Sequence, residues 1–132
     1  MTSSKPSKHH DVVIIGAGHN GIVAAKTYLQ FNPSIDILII DGGKSIGGGW
    51  SAERIYPGLI FEMPAPMTNF TDFDMTREVG AELWGDVTGD QVNEFLVSLL
   101  STSKGFSNKV RTNMLGSTTY PNAVNSTPRR CE

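Results

Sequence analysis

The sequence has a single cysteine, few aromatic residues and no long hydrophobic run. Cys131 is the penultimate residue, so an internal disulfide is excluded, and no metal-ligand spacing surrounds it. The apolar runs Val12–Ile15 and Ile37–Ile40 are far too short to cross a bilayer. The net charge of −2 gives no electrostatic basis for binding nucleic acid or an acidic membrane. We therefore expect a cytoplasmic protein with no bound metal, nucleic-acid partner or membrane span.

The 132 residues fit one domain, which we place between two less regular segments. Residues 1–10 are polar and predict a disordered arm, whereas residues 11–100 carry the periodic apolar patterns of a folded domain. Residues 101–132 are rich in serine and threonine and predict a divergent, poorly ordered tail. Within this tail, residues 109–115 predict a weak strand.

The first forty residues carry the pattern of one βαβ unit. Residues 11–15 contain the continuous apolar run Val12–Ile15, which predicts a strand buried on both faces. Helical spacing follows over residues 19–31 and ends at Asn32-Pro33, because the residue before proline avoids helical geometry. Residues 35–40 predict a second buried strand, parallel to the first. The fold class is therefore α/β, with an incomplete Rossmann-like unit.

A second helix is predicted after a long irregular segment. Residues 51–86 contain three prolines and predict loops with short helical turns. Thr88 and Gln91 then have the spacing of a capping box, and an amphipathic helix of about ten residues follows. The apolar residues on one face of this helix are expected to pack on the core: Val92, Phe95, Leu96, Leu99 and Leu100.

A glycine motif between the two predicted strands indicates a dinucleotide site. Gly16 permits the tight turn from strand to helix, Gly18 lets a pyrophosphate approach the backbone, and Gly21 lets the helix pack closely on the strand. The helix N-terminus attracts phosphate. Asp41 ends the second strand, where its carboxylate can accept hydrogen bonds from ribose hydroxyls and would repel the 2′-phosphate of NADP. The alternatives are a strand–turn–helix whose glycines only make the turn, and a solvated Asp41.

Further candidate ligands lie inside the motif and after Asp41. His19 and Asn20 occupy the helix start, where His19 is a candidate for capping or phosphate contact, or a tolerated variable position. Gly48 and Gly49 belong to a second glycine cluster that ends at Trp50. The long FAD molecule would need close approach to the backbone here, whereas NAD would not. Trp50 is predicted to lie near the flavin or, alternatively, to pack the loop. The three histidines, at 9, 10 and 19, have no paired serine, so the catalytic residues are unknown.

The segments "DVVIIGAGHNG" and "IIDGGKSIGGGWSAERIYPGL" resemble flavin-dependent monooxygenases of the flavin-containing and Baeyer–Villiger type. Asp41 and Trp50 keep the nine-residue separation of that family, and the resemblance continues to about residue 100. It implies FAD at Gly16, Gly18, Gly21, Asp41, Gly49 and Trp50. It further implies NADPH as reductant, oxygen as co-substrate and a small organic substrate of fungal secondary metabolism.

Two departures from the family pattern leave other functions open. Glu62 stands where relatives commonly have an asparagine near the flavin, and no second glycine motif for NADPH is found in the sequence. We therefore expect a truncated chain with weak or no NADPH oxidation by itself. The alternatives are a non-catalytic FAD-binding remnant, an FAD oxidoreductase of the phytoene-desaturase or amine-oxidase type, and an NAD-binding module. Neither an oligomeric state nor a complementing polypeptide is predicted.

Overall fold

The computed structural model describes residues 9–102 and 110–111. Most of the predicted arm and nearly all of the predicted tail therefore lie outside the described residues. Within the described part of the chain, no helix is both long enough and apolar enough to cross a membrane.

The N-terminal half forms the predicted βαβ unit. Strand β1 is Val12–Ile15, helix α1 is His19–Phe31 and strand β2 is Ile37–Ile40. The strands are parallel, with Val12 paired to Ile37 and Ile15 paired to Ile40. The predicted helix bounds and the parallel pairing are both confirmed. Helix α1 ends where the Asn32 N–H donates to the Tyr28 carbonyl oxygen at 2.9 Å.

Residues 41–88 are mostly loop, with short elements. In chain order these are a 3₁₀ turn at Gly48–Trp50, β3 at Ile60–Phe61, α2 at Ala65–Thr68, α3 at Met75–Val79 and β4 at Val87–Thr88. The Asp74 carboxylate caps α3 by accepting from the Thr76 N–H at 2.8 Å. The short helical turns were predicted, whereas the antiparallel pairing of β3 with β4 was not.

Helix α4, Gly89–Thr102, begins with the predicted capping box. The Thr88 N–H donates to Gln91 Oε1 at 3.0 Å, and the Gln91 N–H donates to Thr88 Oγ1 at 3.2 Å. The helix has 14 residues, longer than predicted, and all five predicted core residues are buried. Its apolar face packs with α1 and α3.

Strand β5, Val110–Arg111, lies parallel to β2 and gives the strand order β1–β2–β5. Val12 and Ile14 pack with buried Ile37 and Ile39 against the helical core. The other sheet face is open, since Ile15 is 88% exposed. The prediction that both strands are buried on both faces is therefore wrong, because the described helices cover one face only.

Candidate functional site

The first glycine loop, residues 16–21, connects β1 to α1 through a tight turn. Gly16 has a φ of +103°, which favours glycine, and its N–H donates to the Ile40 carbonyl oxygen at 2.7 Å. A Cβ added at Gly21 would lie 1.9 Å from the Gly16 carbonyl oxygen. Gly16 and Gly21 therefore make the turn and the close packing of the helix possible.

Helix α1 begins beside this loop without a side-chain cap. Its N-cap residue is Gly18, which has no side chain to offer, and the Gly18 carbonyl oxygen accepts from the Ile22 N–H at 3.0 Å. The first backbone N–H groups of a helix lack intrahelical partners and carry the positive end of its dipole. The 13-residue helix therefore presents an anion-attracting end next to Gly18.

The second glycine loop, residues 47–50, touches the first through the backbone. The Gly47 N–H donates to the Ala17 carbonyl oxygen at 2.8 Å. A Cβ added at Gly48 would lie 2.9 Å from the Gly18 Cα, so the absence of side chains permits this approach. Gly49 has open space on the side where a Cβ would stand. The predicted glycine residues of both loops thus lie together.

The Asp41 carboxylate forms hydrogen bonds both with the first loop and with residues 42–46, the segment that leads to the second loop. Its Oδ2 accepts from the Ala17 N–H at 2.6 Å, and its Oδ1 accepts from the Gly43 N–H at 2.6 Å. The Asp41 N–H in turn donates to the Arg111 carbonyl oxygen at 2.8 Å. The carboxylate is half-buried at the carboxyl end of β2, where parallel α/β sheets bind ligands.

The aromatic candidates pack on neighbouring aromatic rings. The half-buried Trp50 ring meets Phe61 edge-to-face, with ring centroids 5.2 Å apart. His19 is exposed and stacks on Phe70 with centroids 5.7 Å apart, while Asn20 is exposed at the helix start. Their predicted contacts with a flavin or a phosphate remain predictions.

Glu53 holds the segment between Asp41 and the second loop in place by hydrogen bonds to its backbone. The sequence did not reveal this role. Its Oε1 accepts from the N–H groups of Lys44 and Ser45 at 2.9 and 3.2 Å, and its Oε2 accepts from the Ser45 hydroxyl. Burial raises the pKa of Glu53, but these hydrogen bonds outweigh it and the pKa is lowered.

Asn93 and Ser51 also border the second loop without having been predicted. Asn93 Nδ2 donates to the Trp50 carbonyl oxygen at 2.6 Å and to the Ile46 carbonyl oxygen at 3.4 Å. Ser51 is 2% exposed, and its Oγ has no hydrogen-bond partner among residues 9–102 and 110–111. The spacing between Asn93 and the loop, more than forty residues, gives no local sequence signal of this contact.

Two solved monooxygenase structures share this fold. An oxidized steroid monooxygenase bound to NADP matches with a TM-score of 0.61 and 19% identity, over 79% of this chain and 19% of that one. A polycyclic ketone monooxygenase from the fungus Thermothelomyces thermophila matches with a TM-score of 0.59 and 21% identity, over 84% and 18% of the two chains. At this identity the similarity establishes the fold, and it confirms the Rossmann-like α/β unit.

Sequence relatives are fungal FAD-dependent monooxygenases. One from Fusarium langsethiae is 38% identical over 94 residues, which cover 70% of this chain and 16% of the relative. One from Aspergillus sclerotiorum is 53% identical over 69 residues, which cover 52% and 12%. The chain thus spans less than a fifth of the length of these relatives. They confirm the predicted resemblance to FAD-dependent monooxygenases.

The model of the Thi4 family matches residues 3–94, which contain both glycine loops, Asp41 and the start of α4. This match extends over more than half of the sequence, so the chain belongs to the Thi4 family.

Proposed function

We propose that this chain is the FAD-binding part of an FAD-dependent monooxygenase. The observation that carries the proposal is the backbone contact between the two glycine loops at the N-terminus of α1, where Gly18 faces Gly48. The names of the relatives supply the reaction class. The chain spans only part of the length of these relatives, so monooxygenase activity is proposed for the whole protein and FAD binding for this chain.

The helix start fits the pyrophosphate of a dinucleotide. Gly18 has an ordinary φ of −82°, so glycine is not required there by backbone strain. A Cβ at Gly18 would lie 3.6 Å from the Gly48 Cα, which is ordinary van der Waals contact. The fold alone therefore does not demand glycine at this position, whereas a phosphate held by the helix N-terminus would.

Asp41 fits the ribose of the adenosine. Each carboxylate oxygen already accepts one backbone N–H, and each has a further lone pair for a ribose hydroxyl. The same negative charge disfavours the 2′-phosphate of NADP at this site. These features suit FAD or NAD, and the monooxygenase relatives favour FAD.

The second loop fits a ligand that extends beyond the pyrophosphate. The open side of Gly49 leaves room for a ligand to approach the backbone closely. The extra glycine residues would serve a long ligand such as FAD, whereas the shorter contact made by NAD would not require them.

When bound, FAD supplies the redox chemistry of oxygen insertion, with NADPH as reductant and a small organic molecule as substrate. The residues of this chain bind and orient the cofactor. The α1 N-terminus holds the phosphates, Asp41 orients the ribose and the second loop shapes the path toward the flavin. No residue of the described segments is assigned a catalytic role.

Titration of the purified chain with FAD tests the proposal, with Gly18→Ala as the diagnostic variant. The wild-type chain should quench flavin fluorescence on binding. The variant should keep its melting temperature without FAD, because its methyl group has room, yet lose about tenfold in affinity, because that methyl overpacks the phosphate site. A wild-type chain that binds NAD and ignores FAD would instead establish the NAD-binding alternative.

Oxygen uptake separates cofactor binding from activity. If the FAD-loaded chain consumes NADPH and oxygen continuously, it reduces and reoxidises its flavin by itself, and the non-catalytic alternative fails. If it holds FAD without consuming NADPH, the chain alone is a non-catalytic FAD-binding unit. Both outcomes are read on the same preparation, so a failure of catalysis is not mistaken for a failure of binding.

A further inference from the structure

The second glycine loop has a conformation that glycine permits but does not enforce. Gly47 and Gly48 have φ values of +117° and +61°. The turn is closed by the Trp50 N–H, which donates to the Gly47 carbonyl oxygen at 3.0 Å. Glycine also reaches many other backbone conformations, so this geometry needs support from elsewhere in the fold.

That support comes from the side chain of Asn93 on α4. The half-buried amide donates to the carbonyl oxygens of Trp50 and Ile46, which lie at the two ends of the loop. The 2.6 Å bond to Trp50 is short, and the 3.4 Å bond to Ile46 is longer. Because both partners are acceptors, the amide must present its NH₂ group to the loop, which also fixes the orientation of the side chain.

Helix α4 is a rigid base for this contact. Val92, Phe95 and Leu96 surround Asn93 in sequence and are buried in the core, so a shift of the helix toward a displaced loop would disrupt this packing. On its other side the loop donates through the Gly47 N–H to Ala17 in the first loop. The core is thus connected through Asn93 and the second loop to the backbone beside Gly18.

We infer that Asn93 is a positioning residue of the FAD site, which holds the second glycine loop against the first. This inference rests on the proposed FAD binding. Asn93 acts through the backbone of the loop, so it requires no contact of its own with the cofactor. An amide suits the task because it places two N–H donors on one small group, whereas a carboxylate would face two carbonyl oxygens without a proton to share.

The test is FAD titration of the full chain with Asn93→Asp, which keeps the size of the side chain and replaces its donor by an acceptor. We expect affinity to fall about tenfold to a hundredfold, because two half-buried carbonyl groups lose their donor. Two facing carbonyl oxygens and partial burial raise the pKa of the introduced carboxyl. Lowering the pH from 8 to 5 should therefore narrow the difference in FAD affinity from wild type, because the protonated carboxyl regains one O–H donor. This partial recovery would not follow from a general loss of stability.

Asn69→Asp is the matched control. Asn69 is also half-buried and also joins a loop to a helix, but its Oδ1 accepts from the Met75 N–H at 2.7 Å, a role that a carboxylate retains. Asn69→Asp adds the same negative charge as Asn93→Asp. Any loss of FAD affinity in this control therefore measures general repulsion between the added charge and the FAD phosphates. We expect it to leave FAD affinity within about twofold of wild type.

The outcomes separate this inference from the proposed function. If wild type fails to bind FAD, the proposed function fails. If wild type binds and Asn93→Asp binds equally well, or loses affinity only as the control does, the positioning role is overturned. Should Asn93→Asp not fold, Asn93→Ala is measured in its place, and if neither variant folds, Asn93 is a structural residue and the inference is wrong.

Discussion

The two glycine loops use the same residue type for different purposes. In the first loop, flanking secondary structure fixes the backbone, because β1 enters it and α1 leaves it. In the second loop, only a 3₁₀ turn is present, and side chains from outside, Asn93 and Glu53, bond to the loop and to the segment before it. The first loop is therefore shaped largely by the strand and helix that flank it, whereas the second depends more on side-chain contacts.

Glycine residues of the two loops also differ in what a substitution would cost. At Gly21 a methyl group would collide with backbone, whereas at Gly49 it would meet open space. Of these two, only Gly21 is required by the fold of the chain. A glycine that the fold does not require, such as Gly49 or Gly18, is the better candidate for a position kept open for a ligand.

The largest effect is expected for Gly21→Ala in the first loop. Its Cβ would lie 1.9 Å from the Gly16 carbonyl oxygen, and backbone cannot move aside as a flexible side chain can. Overpacking of this kind costs about 3 kcal/mol, which outweighs the roughly 1 kcal/mol by which alanine favours a helix. We expect a melting temperature at least about 10 °C below wild type, measured by circular dichroism.

Gly49→Ala serves as the control for this measurement, because it is the same chemical change in the second loop. If both variants melt at the temperature of the wild type, α1 can shift away from Gly16, and the close packing at Gly21 is not essential to the fold.

Much of the first loop and its surroundings follows from the sequence. The bounds of α1 and the capping box at Thr88 and Gln91 rest on residues close together in the chain, and the parallel pairing of β1 with β2 follows from the single helix that connects them. Local hydrogen bonding and periodicity determine these features, so a pattern of neighbouring residues suffices to predict them.

Features that depend on distant partners did not follow from the sequence. The apolar run of β1 predicted burial on both faces, yet Ile15 is 88% exposed, because a run of apolar residues does not show whether a second layer exists. Strands β3 and β4 have two residues each, too few for a period. Asn93 lies in a helix whose apolar stripe was predicted, but its loop contact depends on how α4 packs.

An intermediate effect is expected for Glu53→Gln, which weakens the closure of the segment before the second loop. A glutamine still accepts from backbone N–H groups but without the charge, so the loss at neutral pH should be about 0.5–1 kcal/mol for this exposed group. The pKa of Glu53 is lowered in the folded chain. Its contribution is therefore complete above the ordinary pKa of glutamate and disappears as the pH falls through the lowered value.

Urea unfolding of both proteins between pH 7 and pH 3 measures this difference. The wild type should lose its advantage over Glu53→Gln in the acid range. Two other carboxylates also have lowered pKa values: Asp72, through its hydrogen bond from Lys26, and Asp74, through its hydrogen bond from Thr76. Both are present in the two proteins, so their contributions to the pH dependence of stability cancel. If the difference in free energy of unfolding persists unchanged at pH 3, the Glu53 charge does not stabilise this segment. The control is Glu62→Gln, which makes the same change at another exposed carboxylate.

The smallest effect on the ligand-free chain is expected for Gly49→Ala in the second loop. Nothing lies within 4 Å of the added methyl group, so the free energy of unfolding should change by less than about 0.5 kcal/mol. With saturating FAD the melting temperatures of wild type and Gly49→Ala should differ. A methyl group in space that the cofactor uses reduces the rise in melting temperature on binding. If FAD raises both melting temperatures equally, the open side of Gly49 faces solvent. The cofactor contact would then be confined to the first loop, and the second would serve only to hold Gly48 against Gly18.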